Sequence, residues 1–340
     1  MGGGILIDVT VKITAIIMYC DESMLNLELG NGYIIEKCYY DDFPFKSEIE
    51  NGKNQLCIEY MGSCLHDENG SYFICLKKED VFSIDGPQIV PNAVITDKTC
   101  QCEDEIGAYQ EQEVQYLHKI FSLLRLYKNG NIGLYQTFFN YRFKVLGFIN
   151  NTQNHISKNS TRNAYDERKY ILATEDVERC NQFLRDYKLQ IYSMMKPIID
   201  EFVWGLEQID APTGFEQYTT ALEMALLPVN QPGKKQMLSN RIAVLLGKND
   251  AEVVGIHDKM LDFYRYRSES LHEGDGSNIS KQELIEMENY VRQTITTIMQ
   301  KCKYQLAIDN TKTWIDIKND LMNELISKVE NKKTADILRQ

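Results

Sequence analysis

The sequence predicts an α+β protein: a β-rich N-terminal part followed by an all-helical C-terminal part. Three observations predict it. Up to about residue 100 the chain is built of short runs rich in Ile, Tyr, Phe and Cys, parted by Gly-Asn-Gly at 30–32, Asn51-Gly52 and Asn69-Gly70. These are turn signals between strands. From about residue 174 onward, apolar residues recur at three- and four-residue spacing, the period of an amphipathic helix. The charge balance also changes along the chain. Residues 1–110 hold seven Lys, no Arg and nineteen acidic residues, whereas residues 111–340 hold thirty basic and thirty acidic residues.

The first strand is expected from Ile5-Leu6-Ile7, Val9 and Val11, which alternate in part. Gly32 to Tyr40, Leu56 to Tyr60 and Ser71 to Leu76 follow as further strands of an open sheet or small barrel. Residues 111–128 read as a helix, with Val114, Leu117, Ile120, Phe121, Leu124 and Tyr127 on one stripe and Gly130 as its stop. Ile132 to Phe148 is rich in Phe and Tyr and reads as strands returning to the sheet, so the first domain spans residues 1–150. Residues 151–168 are polar and short of apolar anchors, which predicts a linker.

A helical domain is expected over 169–305, with an amphipathic C-terminal helix over 306–340. Thr174 is a suitable N-cap, with Glu175 and Asp176 in the first turn, where the helix dipole favours acids. The stripe Val177, Cys180, Leu184, Tyr187, Ile191, Met194, Ile198 and Phe202 contains Pro197, which predicts a kink or a break. Further helices are expected from Phe215 to Leu227, Lys235 to Leu246 and Asp250 to His272, the last stopped by Gly274 and Gly276. Ser280-Lys-Gln-Glu283 is a capping box that starts the next one.

Composition excludes several classes. With 43% hydrophobic and 25% charged residues the chain is neither disordered nor collagen-like. No run is long and apolar enough for a spanning helix. Asp8 and Lys12 interrupt the N-terminal apolar run, and Leu6 occupies the place where myristoylation needs Ser or Thr. A cytoplasmic protein with no membrane partner is expected. The net charge of −12 falls entirely on residues 1–110, so that part is expected to repel nucleic acid and to act as a sensor or regulator. Nine cysteines without a CxxC pair read as reduced thiols. Cys64-x-His66 and Cys100-x-Cys102 are ligand types zinc accepts, but one-residue spacing is uncommon in structural sites, so neither metal nor cofactor is expected.

Histidine is scarce, at five residues. His66, His118, His155 and His257 have no catalytic partner nearby in sequence. His272 differs, because Arg265 and Arg267 precede it by seven and five positions. Arginine binds phosphate oxygens and stabilises charge developing on phosphorus, and histidine moves a proton near neutral pH. That combination suits phosphodiester cleavage without metal.

The surrounding order is informative. Ala221-Leu222-Glu223-Met224-Ala225-Leu226-Leu227-Pro228 precedes Leu238-Ser-Asn-Arg241-Ile-Ala-Val-Leu-Leu-Gly247. Then comes Tyr266-Arg267-Ser268-x-x-Leu271-His272-x-Gly274 and a long amphipathic helix. This succession resembles the HEPN superfamily, in particular its ApeA-like branch from bacterial defence against phage, over residues 170–305. Arg-x4–6-His is that family's ribonuclease signature, and Ser268 matches the polar residue after its arginine. Glu273 intervenes before Gly274, where related strings often have Gly directly after the His.

The resemblance implies an all-α HEPN bundle and a metal-independent endoribonuclease, an anti-phage defence or toxin effector acting on RNA through its 2′-OH. It also implies a homodimer with a composite site and a trigger of phage origin. Arg267 and His272 are the expected catalytic pair, with Arg265 and Ser268 as supporting phosphate contacts. Glu223 and Arg241 are expected to pair and brace the helices. On a regular helix Arg265 shares the face of His272, and Arg267 lies about 140° away. Gly274 and Gly276 point to unwinding that would let Arg267 converge. The alternative is a non-catalytic HEPN module that dimerises or senses a ligand.

Overall fold

The computed structural model describes residues 5–43, 45–46, 65–86, 97–145, 148–158, 168–208, 210–228, 232–273 and 279–338. The fold is α+β, an N-terminal antiparallel sheet followed by a helical region, and the contacts divide it into two compact units. No helix among the described residues is long and apolar enough to cross a membrane.

The sheet unit holds β1 (Ile5–Met18), β2 (Ile34–Tyr39), β3 (Leu65–Asp67), β4 (Gly70–Gly86), β5 (Gly133–Val145) and β6 (Phe148–Lys158). Their order is β2-β4-β1-β5-β6, with β3 also on β4, and every pairing is antiparallel. The sheet is open, and β1 lies at its centre. Alternation along β1 decides its two faces. Val9, Val11, Ile13 and Ala15 are buried and share a face with Lys78, Asp80 and Phe82 of β4 by register. Helix α1 (Asp97–Tyr127) covers that face, stacking Tyr109 on Phe82 at 4.4 Å. The other face is covered at one end by Phe43 and Phe45, which pack on Phe73, Phe138, Ile16, Cys38 and Cys75. Among the described residues its other end stays open, and it carries Lys12, Lys77, Glu79, Asn140 and Arg142.

Between sheet and α1 lies a buried polar cluster. The Glu113 carboxylate accepts from Lys78 Nζ at 2.8 Å, Tyr33 Oη at 2.7 Å and Asn31 Nδ2 at 3.2 Å. Glu113 is 3% exposed. Burial in the first place, then the Glu113 charge, pushes the Tyr33 phenol well above its ordinary value.

The helical unit contains α3 (Gln190–Leu206), α4 (Ala211–Leu226), α5 (Lys234–Leu246), α6 (Asp250–Glu273), α7 (Lys281–Ile308), α8 (Trp314–Glu330) and α9 (Lys332–Ile337). Its core is made of Met195, Ile198, Phe202, Phe215, Tyr218, Leu222, Phe263, Val291, Ile295 and Ile298. α3 and α4 meet through Gly205 and Gly214. A Cβ at Gly205 would stand 2.4 Å from the Tyr218 ring, so only glycine allows this approach. Residues 122–129 at the end of α1 also belong to this unit: Arg125 pairs with Glu207 at 2.7 Å, and Arg292 Nε donates to the Arg125 carbonyl at 2.8 Å.

Several expectations move. The helix expected over 111–128 begins at Asp97, because the apolar stripe marks only its buried half. The expected linker over 151–168 is in part strand: β6 runs to Lys158 and pairs with β5. An edge strand pairs on one side only, which tolerates the polar composition that reads as a linker. The helical domain expected from 169 begins later, since residues 168–184 belong to the sheet unit. There α2 (Thr174–Tyr187) is fixed by Asn181, whose side chain accepts from Glu28 N at 2.8 Å and donates to the Asn26 carbonyl at 3.3 Å. The break in the long stripe falls between Tyr187 and Gln190, and Pro197 lies inside α3. The C-terminal stretch forms two helices, the first with a Thr313/Asp316 capping box. The strand expected at Leu56 to Tyr60 lies outside the described residues.

Candidate functional site

Helix α6 presents Tyr264, Arg265, Arg267 and Ser268 near its C-terminal end. Met260, Phe263, Tyr264 and Arg267 follow helical spacing, and the Phe263 ring is buried against Phe215 at 5.4 Å. This anchor fixes the rotation of the helix and so turns Arg267 toward α4. There Glu223 waits, one turn before the end of α4.

Glu223 is the hub. Its carboxylate accepts from Lys234 Nζ at 2.7 Å and from Tyr264 Oη at 3.0 Å, and Arg267 Nη1 approaches it at 3.6 Å. The last distance is an ion pair without a hydrogen bond. The guanidinium also lies over the Tyr264 ring at 5.6 Å, a cation–π contact. Arg267 Nε is buried and has no hydrogen-bond partner. Arg267 is therefore placed by a ring and a carboxylate while its donors stay largely unspent. Burial first, then Glu223, raises the Tyr264 phenol above its ordinary value, so its hydroxyl remains a donor at neutral pH.

Arg265 is more exposed and already engaged: it pairs with Asp262 at 3.0 Å, with Glu269 at 3.8 Å, and rests over Tyr266. Ser268 is exposed. His272 lies within α6, which stays helical through Glu273; its side chain, like those of Leu271 and Glu273, lies outside the described ones. The backbone is helical through His272 and Glu273, and Gly274 and Gly276, which carry the expected unwinding, lie outside the described residues. On a regular helix Arg267 is about 140° from His272, and Arg265 is nearly in line with it.

The expected Glu223–Arg241 pair does not form. Arg241 Nη1 donates to the Leu226 carbonyl at 2.5 Å, and Lys318 Nζ donates to the Met224 and Leu227 carbonyls at 2.6 and 2.9 Å. Both cations cap the C-terminal end of α4, where unsatisfied carbonyls and the helix dipole favour positive charge. Arg241 still braces helices, but through backbone. Burial lowers both basic groups from their ordinary values.

His257 is buried and satisfied, with Nε2 2.8 Å from Gln236 and Nδ1 3.0 Å from Asp258. His66 meets Ser71 at 2.9 Å. Among the described residues no group of His, Cys, Asp and Glu could hold a metal ion. Cys64 and the side chains of Cys100 and Cys102 lie outside the description. The described cysteines are all free and buried.

No family model, curated protein or solved structure matches this chain. The arrangement itself must therefore carry any functional reading. It brings together Glu223, Tyr264 and Arg267, and adds Lys234, which sequence reasoning missed. A lysine just after Gly233, at the start of a helix, was the available signal.

Proposed function

We propose that the chain is a metal-independent endoribonuclease of the HEPN type, an effector of anti-phage defence or a toxin. The observation that supports this reading is Arg267, a guanidinium positioned by Tyr264 and Glu223 with donors left over, on the helix that also carries Arg265 and His272. Arginine is the side chain best shaped for phosphate oxygens. In the proposed reaction the RNA 2′-OH attacks the adjacent phosphorus as the P–O5′ bond breaks. His272 moves a proton to or from an RNA oxygen, and Arg267 stabilises the charge on phosphorus. Lys234 adds positive charge beside it, and Glu223 and Tyr264 position the arginine. A homodimer would join two such sets, and a phage product would release the activity.

The test compares wild type with His272→Ala and Arg267→Ala for RNA cleavage and growth arrest. Each variant is expected to lose about a hundredfold or more of the cleavage rate. For Arg267→Ala stability should change by less than about 1 kcal/mol, since its side chain is partly exposed. Cleavage is expected to survive EDTA, because the proposed chemistry uses Arg and His alone. Unchanged cleavage in His272→Ala overturns the assignment.

A second reading, a non-catalytic HEPN module that dimerises or senses a ligand, is favoured by one observation. α6 stays helical through Glu273, and positions 267 and 272 of a regular helix lie about 140° apart. Wild-type protein without RNA cleavage or toxicity would support it.

A further inference from the structure

The open end of the sheet face holds a cavity of about 560 Å³, within the size range of small-molecule sites. Strand register assembles its lining. Lys12 of β1 lies between Glu79 and Asn140, Thr14 lies between Lys77 and Phe138, and Arg142 pairs with Thr10. Alternate residues share a face, so Lys12, Thr14, Lys77, Asn140 and Arg142 converge on one side. Phe45, stacked on Phe138 at 4.7 Å, closes one end, and Ile34, 58% exposed, borders another.

The charges there are available. Lys12 meets Glu79 at 3.3 Å with both side chains half exposed, and Lys77 pairs with Glu36 in a similarly open setting. Such solvent-exposed pairs are weak and yield to a better anion. Arg142 is exposed and has no partner among the described residues. Lys78 also borders the cavity, but its ammonium is committed to Glu113 and Asp80.

Between these charges Thr14, 5% exposed as a residue, places a hydroxyl-bearing side chain in the cavity lining.

We propose that this cavity binds a phosphorylated small molecule of nucleotide size. Its phosphates meet Lys12, Lys77 and Arg142, Thr14 donates to it, and its flat apolar part lies toward Ile34 and Phe45. The geometry favours a small ligand over an RNA strand. The cations form one cluster instead of a track, and residues 1–110 carry the whole net negative charge. The site needs Arg142 from β5, which lies beyond that acidic stretch, so charge counted along the sequence conceals it. The proposal is independent of the role of Arg267.

The experiment titrates the full-length chain by calorimetry with ATP, adenosine, inorganic phosphate and a short single-stranded RNA. Saturable ATP binding is expected, weakened about tenfold for adenosine and about tenfold in Arg142→Gln or the Lys12→Gln/Lys77→Gln double variant. Thr14→Val should weaken it several-fold; if that variant fails to fold, the exposed Arg142→Gln still decides. Arg267→Ala should bind ATP as wild type does. No saturable ATP binding, or binding unchanged in Arg142→Gln, overturns the proposal. So does phosphate binding as tightly as ATP, which would mean a free-anion site. RNA binding lost in Arg142→Gln without ATP binding overturns it in favour of nucleic acid.

Discussion

Two carboxylates, one in each unit, have nearly the same company. Glu113 accepts from Lys78, Tyr33 and Asn31; Glu223 accepts from Lys234 and Tyr264 and attracts Arg267. They differ in burial and in what is left over. Around Glu113 the lysine is 6% exposed and its donors are met by Glu113 and Asp80. Around Glu223 the lysine side chain is 42% exposed, and the arginine keeps an unpartnered Nε and a loose 3.6 Å pair. The first cluster spends its groups on holding a helix to a sheet. The second holds one arginine loosely between a ring and a carboxylate. Composition alone does not separate the two clusters; the burial of the lysine and the closeness of the pairing do.

The sharpest test of that contrast is Lys78→Ala. It leaves the buried Glu113 side chain short of its cation, which should cost about 3–5 kcal/mol in urea denaturation. Next is a matched pair of tyrosine deletions. Tyr33→Phe removes a buried hydrogen bond to a charged group and should cost about 1.5–3 kcal/mol, whereas Tyr264→Phe should cost less than about 1 kcal/mol because water can replace it. Equal losses would erase the distinction. Glu223→Gln should leave stability within about 1 kcal/mol of wild type while altering RNA cleavage, since it loosens Arg267.

The smallest effect is alkaline. The phenols of Tyr33 and Tyr264 are raised, chiefly by burial, so the folded state favours their neutral forms. Their contribution to stability is complete below the ordinary tyrosine value near 10 and is lost as pH rises past it toward the folded values. Unfolding free energy should therefore fall above about pH 10, and Tyr33→Phe should flatten that slope more than Tyr264→Phe.

Much of the fold was legible because apolar period and turn chemistry act locally. Val9, Val11 and Ile13 alternate into the face under α1, and Ser280 caps α7 by accepting from Glu283 N. The illegible parts depend on partners far away in sequence. β6 is polar and becomes a strand only because β5 offers its edge. Residues 97–110 lack a full stripe and join α1 by propagation from its buried half. Glu113 left a trace that reading for function passed over: it shares the stripe of Leu117, Ile120 and Leu124, while Lys78 takes an inward position after Ile74 and Leu76. At the candidate site, the family resemblance singled out Arg267 and Glu223, but gave Glu223 the wrong partner, Arg241. The choice of Leu226 as the partner of Arg241 was not readable, because a backbone carbonyl at a helix end has no signature of its own.

The central place of β1 has a consequence for synthesis. Its two neighbours in the sheet are β4 and β5, which end at residues 86 and 145. At ribosomal speeds of about 5–20 residues per second, β1 waits roughly 6–25 s for its second partner. Throughout that interval Val9, Val11, Ile13 and Ala15 belong to a nascent strand with at least one edge unmet. Asp8 and Lys12 interrupt the apolar run with charge, the pattern that keeps such segments from pairing with the wrong strand. Replacing Lys12 with an apolar residue would lengthen the sticky segment just when it is least protected, and the loss would appear as aggregated protein during expression rather than as a lower melting temperature.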